Sequence, residues 1–334
     1  RLTVLYAGGQ MPDIWGEGGH TATWFVSDWF LDLSSYFERD KAELRVNDYL
    51  PTAMANVTRS GRIIGLPWGT STTAFAYNRN HLNEAGLAFP PVSWENTSWT
   101  YEQMVGMAKR LTKRDSEGRV ERFGFEAWLW EDYVVTWAHC FGGDWFDRES
   151  YKTGIVERIT INSPETQAAY EELMRLMYED QVMPAPDHTV WVTDPAHWEP
   201  FASGDIAMRI SSSWAYSMYI DAHLDNWALA AIPQFPAGRQ NLCFNDAWHV
   251  FRNTKYPDQA WELIKFLSSK ESMEYFSKET LFGPARISAL NPYVSYLSQR
   301  LGMSTPEIIE VMVGSQAHGI ESQDHVLVGW YEFR

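Results

Sequence analysis

Two cysteines in 334 residues, Cys140 and Cys243, cannot build a disulfide framework or a cysteine-based metal site. No apolar run reaches the roughly 18 residues that a membrane-spanning helix needs. Basic residues are scarce: 27 Lys and Arg face 43 Asp and Glu, a formal net charge of −16. So acidic a chain argues against nucleic acid and against an anionic membrane surface, since both select clustered positive charge. Neutral or cationic ligands stay open. No G-x-S-x-G, H-E-x-x-H, P-loop or G-x-G-x-x-G spacing occurs, and the nine histidines are scattered. No cofactor, metal or catalytic residue is therefore expected. Acid pairs such as Glu131/Asp132 and Asp144/Asp147 keep a glycoside hydrolase as the alternative, because that chemistry needs two carboxylates about one bond.

Aromatic residues are abundant instead, with 17 Trp and 16 Tyr. Rings with a polar handle suit a site that packs a flat apolar face and also hydrogen-bonds, although most of them are expected in the core. Apolar residues at 45% and charged residues at 21% describe a folded globule, and the length allows one large domain or two lobes. The chain opens at Arg1 with neither Met nor a signal-like region, which reads as a processed or trimmed form.

The stretch Gly61–Gly86 organises the rest. Arg62–Leu66 and Thr73–Tyr77 are β-prone, with Pro67-Trp68-Gly69 as an irregular aromatic segment between them. Asn78 then opens a short helix that stops at Gly86. Thr100 with Gln103 caps a helix that buries Met104, Met107, Ala108 and Leu111. Ser163-Pro164-Glu165 starts another, with Ala169, Leu173, Leu176 and Met177 inward. Leu263, Ile264 and Leu267 mark a third, in which Trp261 is core. Arg1–Tyr6 fits either a helix end or a strand, and His20–Phe30 reads as helix.

Six blocks in order resemble solute-binding proteins of carbohydrate ABC importers, of the maltose-binding-protein type. They are Ala7-Gly8-Gly9 with Pro12-Asp13-Ile14-Trp15, the Gly61–Gly86 stretch, Phe123–Asp147 with its Gly142-Gly143-Asp144 turn, Phe201–Met208 with Ser213-Trp214-Ala215, Asp246-Ala247-Trp248 before Pro257–Leu267, and Gly283-Pro284-Ala285-Arg286. Gly329-Trp330-Tyr331 matches a further aromatic position. The resemblance implies a two-lobed α/β fold of the periplasmic-binding-protein type II class with three interlobe crossings, near Thr72–Tyr77, Ala230–Pro233 and Pro284–Gln323. It implies lobes at 1–75 plus 234–285 and at 76–233 plus 286–334, and a chain truncated at both ends, because the family carries more at each terminus. Cys140 and Cys243 then fall in different lobes and are expected as free thiols.

As a site it implies Glu17, Trp68, Thr70, Trp130, Asp132, Trp214, Asp246, Trp248, Arg286 and Trp330. Trp68, Trp214 and Trp330 would stack on sugar, and Glu17, Thr70, Asp132, Asp246 and Arg286 would orient hydroxyls. The bland alternatives are a solvated loop carboxylate for Glu17 and, as the lesser reading, a tryptophan buried at a helix start for Trp214. Two departures bear on ligand identity: Ser213 stands where the family has Pro, and Trp68 where a smaller residue or Tyr is common. The implied protein is an extracytoplasmic monomer, periplasmic or lipid-anchored, that binds a sugar or oligosaccharide without turnover and passes it to a membrane permease.

Overall fold

One strand runs through the whole protein. A computed structural model describes residues 2–16, 21–186, 188, 199–221 and 224–330. Its strands are β1 (Ile14–Trp15), β2 (Thr58–Arg59), β3 (Arg62–Ile63), β4 (Leu66–Asn78), β5 (Lys113–Arg114), β6 (Val120–Arg122), β7 (Glu126–Ala127), β8 (Met208–Ser212), β9 (Trp227–Ala230), β10 (Asn241–Val250), β11 (Gly283–Pro284) and β12 (Gly319–Glu321). β2–β3 and β5–β6 are small separate hairpins. The rest form one sheet in the order β1-β10-β4-β8-β7, with β11 and β9 also on β4 and β12 on β10.

β4 is uncharged, rich in Thr, Ala and aromatic residues, and buried at every position but Trp68, as a central strand covered on both faces should be. Its partners change midway. Leu66–Thr72 pair antiparallel with Trp248–Cys243, whereas Thr73–Tyr77 pair with Ser212–Met208 and Phe75–Asn78 with Ala230–Trp227. At the changeover the Thr73 hydroxyl accepts from the Leu242 N–H at 3.1 Å, a side chain standing in for the ended ladder. The strand continues straight through Pro67-Trp68-Gly69, where an irregular break was expected. The irregularity is a single β-bulge: Asp246 faces Gly69 and Ala247 faces Pro67, leaving Trp68 unpaired.

Helix signals were legible. Asn78 caps Arg79–Glu84 by accepting from the Asn80 N–H at 2.9 Å, and Gly86 follows with φ +62°. Thr100 caps Tyr101–Leu111, and Ser163 caps Pro164–Met174. The N-terminal ambiguity resolves as helix Leu2–Ala7, and the expected His20–Phe30 helix covers Thr21–Val26 before Phe30 bridges Phe251.

The buried side chains fall into one large cluster and several small ones. The large one includes Phe75, Tyr101, Trp137, Phe201, Tyr219, Trp227, Phe235, Leu297 and Val311. Smaller clusters join Trp24, Phe30, Leu33 and Ile64 to Val250, Phe251, Trp261 and Ile264. The result is a two-lobed α/β fold. Cys140 and Cys243 are both free and buried. Among the described residues no helix is long and apolar enough to cross a membrane.

Candidate ligand-binding site

β7 and β8 run parallel, with Glu126 beside Arg209 and Ala127 beside Ile210. Their C-terminal ends therefore emerge together, where open α/β sheets place ligands. Trp128 and Trp130 leave β7 there, and Ser213 and Trp214 leave β8. The three indoles lie nearly parallel: Trp128 and Trp214 have ring centroids 4.7 Å apart, Trp128 and Trp130 5.5 Å, Trp130 and Trp214 5.6 Å at 7°. Trp130 is 57% exposed, an unusual degree for an indole held by two others. Tyr133 stands edge-on to Trp128 at 5.1 Å, its hydroxyl 2.7 Å from Ser212 Oγ.

A second surface meets this one. On β10, Phe244, Asp246 and Trp248 are half-buried while their alternating neighbours are buried, so this face of the strand is open. Phe244 is paired with Ser71 and lies 6.4 Å from Tyr133. Ser71 Oγ accepts from Ser213 Oγ at 3.0 Å and from the Trp214 N–H at 3.2 Å, tying the tryptophans to β4. At the other end, a Cβ on Gly16 would fall 1.8 Å from the Trp248 ring, so only glycine lets that indole lie against β1's exit. The bulge turns Trp68 toward Trp248 at 5.9 Å, with Phe282 at 5.4 Å and Phe276 at 5.8 Å. The Nε1 atoms of Trp68 and Trp248 are both buried without a hydrogen-bond partner. Such orphan donors are costly and suit a site that a polar ligand or water completes.

Beneath Trp128 the site is charged. Arg209 is buried between Glu126 and Glu199, hydrogen-bonds Tyr219 at 3.2 Å, and holds its Cζ 5.4 Å from the Trp128 centroid. Burial raises the Glu126 carboxyl above its usual range. At the edge, Asp132 accepts from Ser322 Oγ at 2.9 Å and from the Gln323 N–H at 3.0 Å. Burial first, and then the Asp324 carboxylate, push Asp132 up to about 6. His325 bonds Glu321 and lies 3.7 Å from Asp324. Burial alone would lower it, but those carboxylates outweigh burial and raise it to about 10, so it is an imidazolium at neutral pH.

Of the expected residues, the structure brings Trp130, Trp214, Asp246, Trp248, Trp68 and Asp132 to this region. Glu17 lies outside the described residues. Three placements correct the sequence reading. Thr70 sits on the opposite face of β4 from Ser71, where its hydroxyl accepts from Gln316 Nε2 at 2.6 Å and holds a helix end. Arg286 is buried and bonds the Ser268 and Leu44 carbonyls, Asp48 and the Tyr49 hydroxyl, so its guanidinium ties loops together. Trp330 is 2% exposed and packs on Trp145 at 5.6 Å and Phe146 at 5.9 Å, as core. The reading missed Ser71, Trp128, Tyr133 and Phe244. Alternation along β10 from Asp246 would have found Phe244. Of the acid pairs, Asp147 caps helix Arg148–Thr153 and Asp144 accepts from Tyr151, both structural tasks.

Similarity follows the same lines. A binding protein of Brucella abortus is 23% identical over 289 residues, 85% of this chain, which spans 65% of that relative's length. An ABC substrate-binding protein of Listeria monocytogenes, solved in complex with cycloalternan, has a similar fold, with a TM-score of 0.81 at 22% identity over 97% of this chain and 78% of its own. A maltose-bound MalE protein of T. maritima gives 0.73 at 22% identity over 96% and 76%. Residues 1–295 match one family along most of the chain, and this protein belongs to it: the bacterial extracellular solute-binding proteins.

Proposed function

We propose that this protein is the substrate-binding component of an ABC importer, and that it holds a sugar or oligosaccharide between the parallel tryptophans and the open face of β10. The carrying observation is Trp130, 57% exposed and stacked on Trp214, with Tyr133 linking it to Phe244 on the β10 face that also carries Asp246 and Trp248. Flat indole faces match the apolar faces of pyranose rings, and carboxylates and orphan indole N–H groups match their hydroxyls. Sugar-bound relatives of similar fold support the ligand class. We place the lobes at 1–75 plus 234–285 and at 76–233 plus 286–334, a division that β4's change of partners after Thr72 supports. Ligand contacts to both lobes favour a closed form that a membrane permease recognises. The protein acts outside the cytoplasm as a monomer, without nucleic acid, and releases its ligand unchanged.

Tryptophan fluorescence and thermal shift against a panel of mono- and oligosaccharides test this reading. At least one saccharide should quench or shift the emission and raise the melting temperature. A panel without any response would sink it, and sustained cleavage of the bound saccharide would promote the hydrolase reading.

A further inference from the structure

Arg209 is 1% exposed, and a buried arginine between two carboxylates seldom repays its own desolvation as stability. Its position explains it better. The guanidinium edge is spent on Glu126, Glu199 and the Tyr219 hydroxyl. Its Cζ lies over aromatic rings: Trp128 at 5.4 Å, Phe201 at 5.8 Å and Tyr219 at 6.0 Å. The parallel register that sets Glu126 beside Arg209 also sets Trp128, two residues on, over the same guanidinium. Trp128 in turn stacks on both Trp130 and Trp214.

We infer that Arg209 is a positioning residue of the aromatic site, holding Trp128 flat so that Trp130 and Trp214 stay parallel before ligand arrives. The inference rests on the sugar-binding reading for its consequence but not for its geometry. A planar cation fixed by two carboxylates favours one orientation of an overlying indole, and a preorganised platform binds more tightly than one ordered by ligand. Lysine keeps the charge and loses the plane and the fork.

The test compares Arg209→Lys with Arg286→Lys, since Arg286 is also buried, in a polar network that touches none of the three tryptophans. Stacked indoles couple in far-ultraviolet circular dichroism, a signal readable without ligand. Arg209→Lys should reduce that exciton band and weaken saccharide binding roughly tenfold, while Arg286→Lys lowers the melting temperature and leaves both unchanged. In a Trp128→Leu background the effect of Arg209→Lys on affinity should vanish. An exciton band and affinity that survive Arg209→Lys overturn the inference, as does an undiminished effect in that background. If Arg209→Lys does not fold, Trp128→Leu alone must lose the band, and retention of the band overturns the inference. A band lost in Arg209→Lys with no saccharide bound by the wild type refutes the ligand reading and leaves the positioning role standing.

Discussion

The indole of Trp248 occupies the space that a side chain on Gly16 would need, with ring carbon Cζ3 only 1.8 Å from the position of that Cβ. Gly16→Ala must therefore displace Trp248, which is already packed against Trp68 and Phe276. Saccharide affinity should fall about tenfold, close to the loss produced by Trp248→Ala, as read by calorimetry. Wild-type affinity in Gly16→Ala would remove Trp248 from the site.

Two tryptophans should fail in different ways. Trp214→Ala removes a ring stacked on two others and should cost at least about 2 kcal/mol of binding, roughly thirtyfold in Kd. Trp261 is fully buried and donates to Asp40 at 2.6 Å, so Trp261→Ala should cost on the order of 3–5 kcal/mol of stability instead. Denaturant titration and ligand titration of both variants separate the two. Unchanged affinity in Trp214→Ala would contradict the site.

Protonated His325 should make stability fall in alkali. Its folded pKa of about 10 lies above an unfolded value of about 6.5, so the folded state holds its proton more tightly. The contribution is fully present below about pH 6.5 and is lost as pH rises through about 10, on the order of a few kcal/mol. Glu321, Asp324, Asp246 and Asp132 face it, and its carbonyl accepts from Arg59. Melting temperatures between pH 6.5 and 10 should drop more steeply for the wild type than for His325→Gln. Parallel curves would mean that the imidazole is neutral.

Placement was legible where a motif fixed it locally and illegible where distant neighbours decided. Trp214 follows from its strand and turn, and helix caps follow from Asn78, Thr100 and Ser163. Ser71 and Thr70 exchange roles because the bulge at Trp68 sets which face of β4 meets the tryptophans. Arg286 finds partners as far off as the Leu44 carbonyl, 242 positions away, which no local pattern announces. Trp330 was expected to stack on sugar, but Trp145 and Phe146, nearly two hundred residues earlier, take its ring into the core.

Closure should be measurable. Small-angle scattering with and without saturating saccharide should show the radius of gyration falling. Thr72→Pro should blunt the change, because it fixes φ and removes a backbone donor where β4 changes partners. A constant radius despite proven binding would indicate a rigid module.

The shared strand also divides the ligand's contacts by kind. β4 is one hydrogen-bonded ribbon, so under the proposed closure the two halves of the sheet would rotate about Thr72 and Thr73 without drawing apart there. Ser71 and the Trp214 N–H sit within a residue or two of that pivot and would keep nearly the same spacing as it turns. Groups far from it, such as Trp248, travel with their own half. A hydroxyl held at the pivot would thus add affinity equally to open and closed forms and leave their ratio unchanged, while contacts at the far edge alone would set the ratio. Ligands of equal affinity but different length would then differ in how completely they shut the protein.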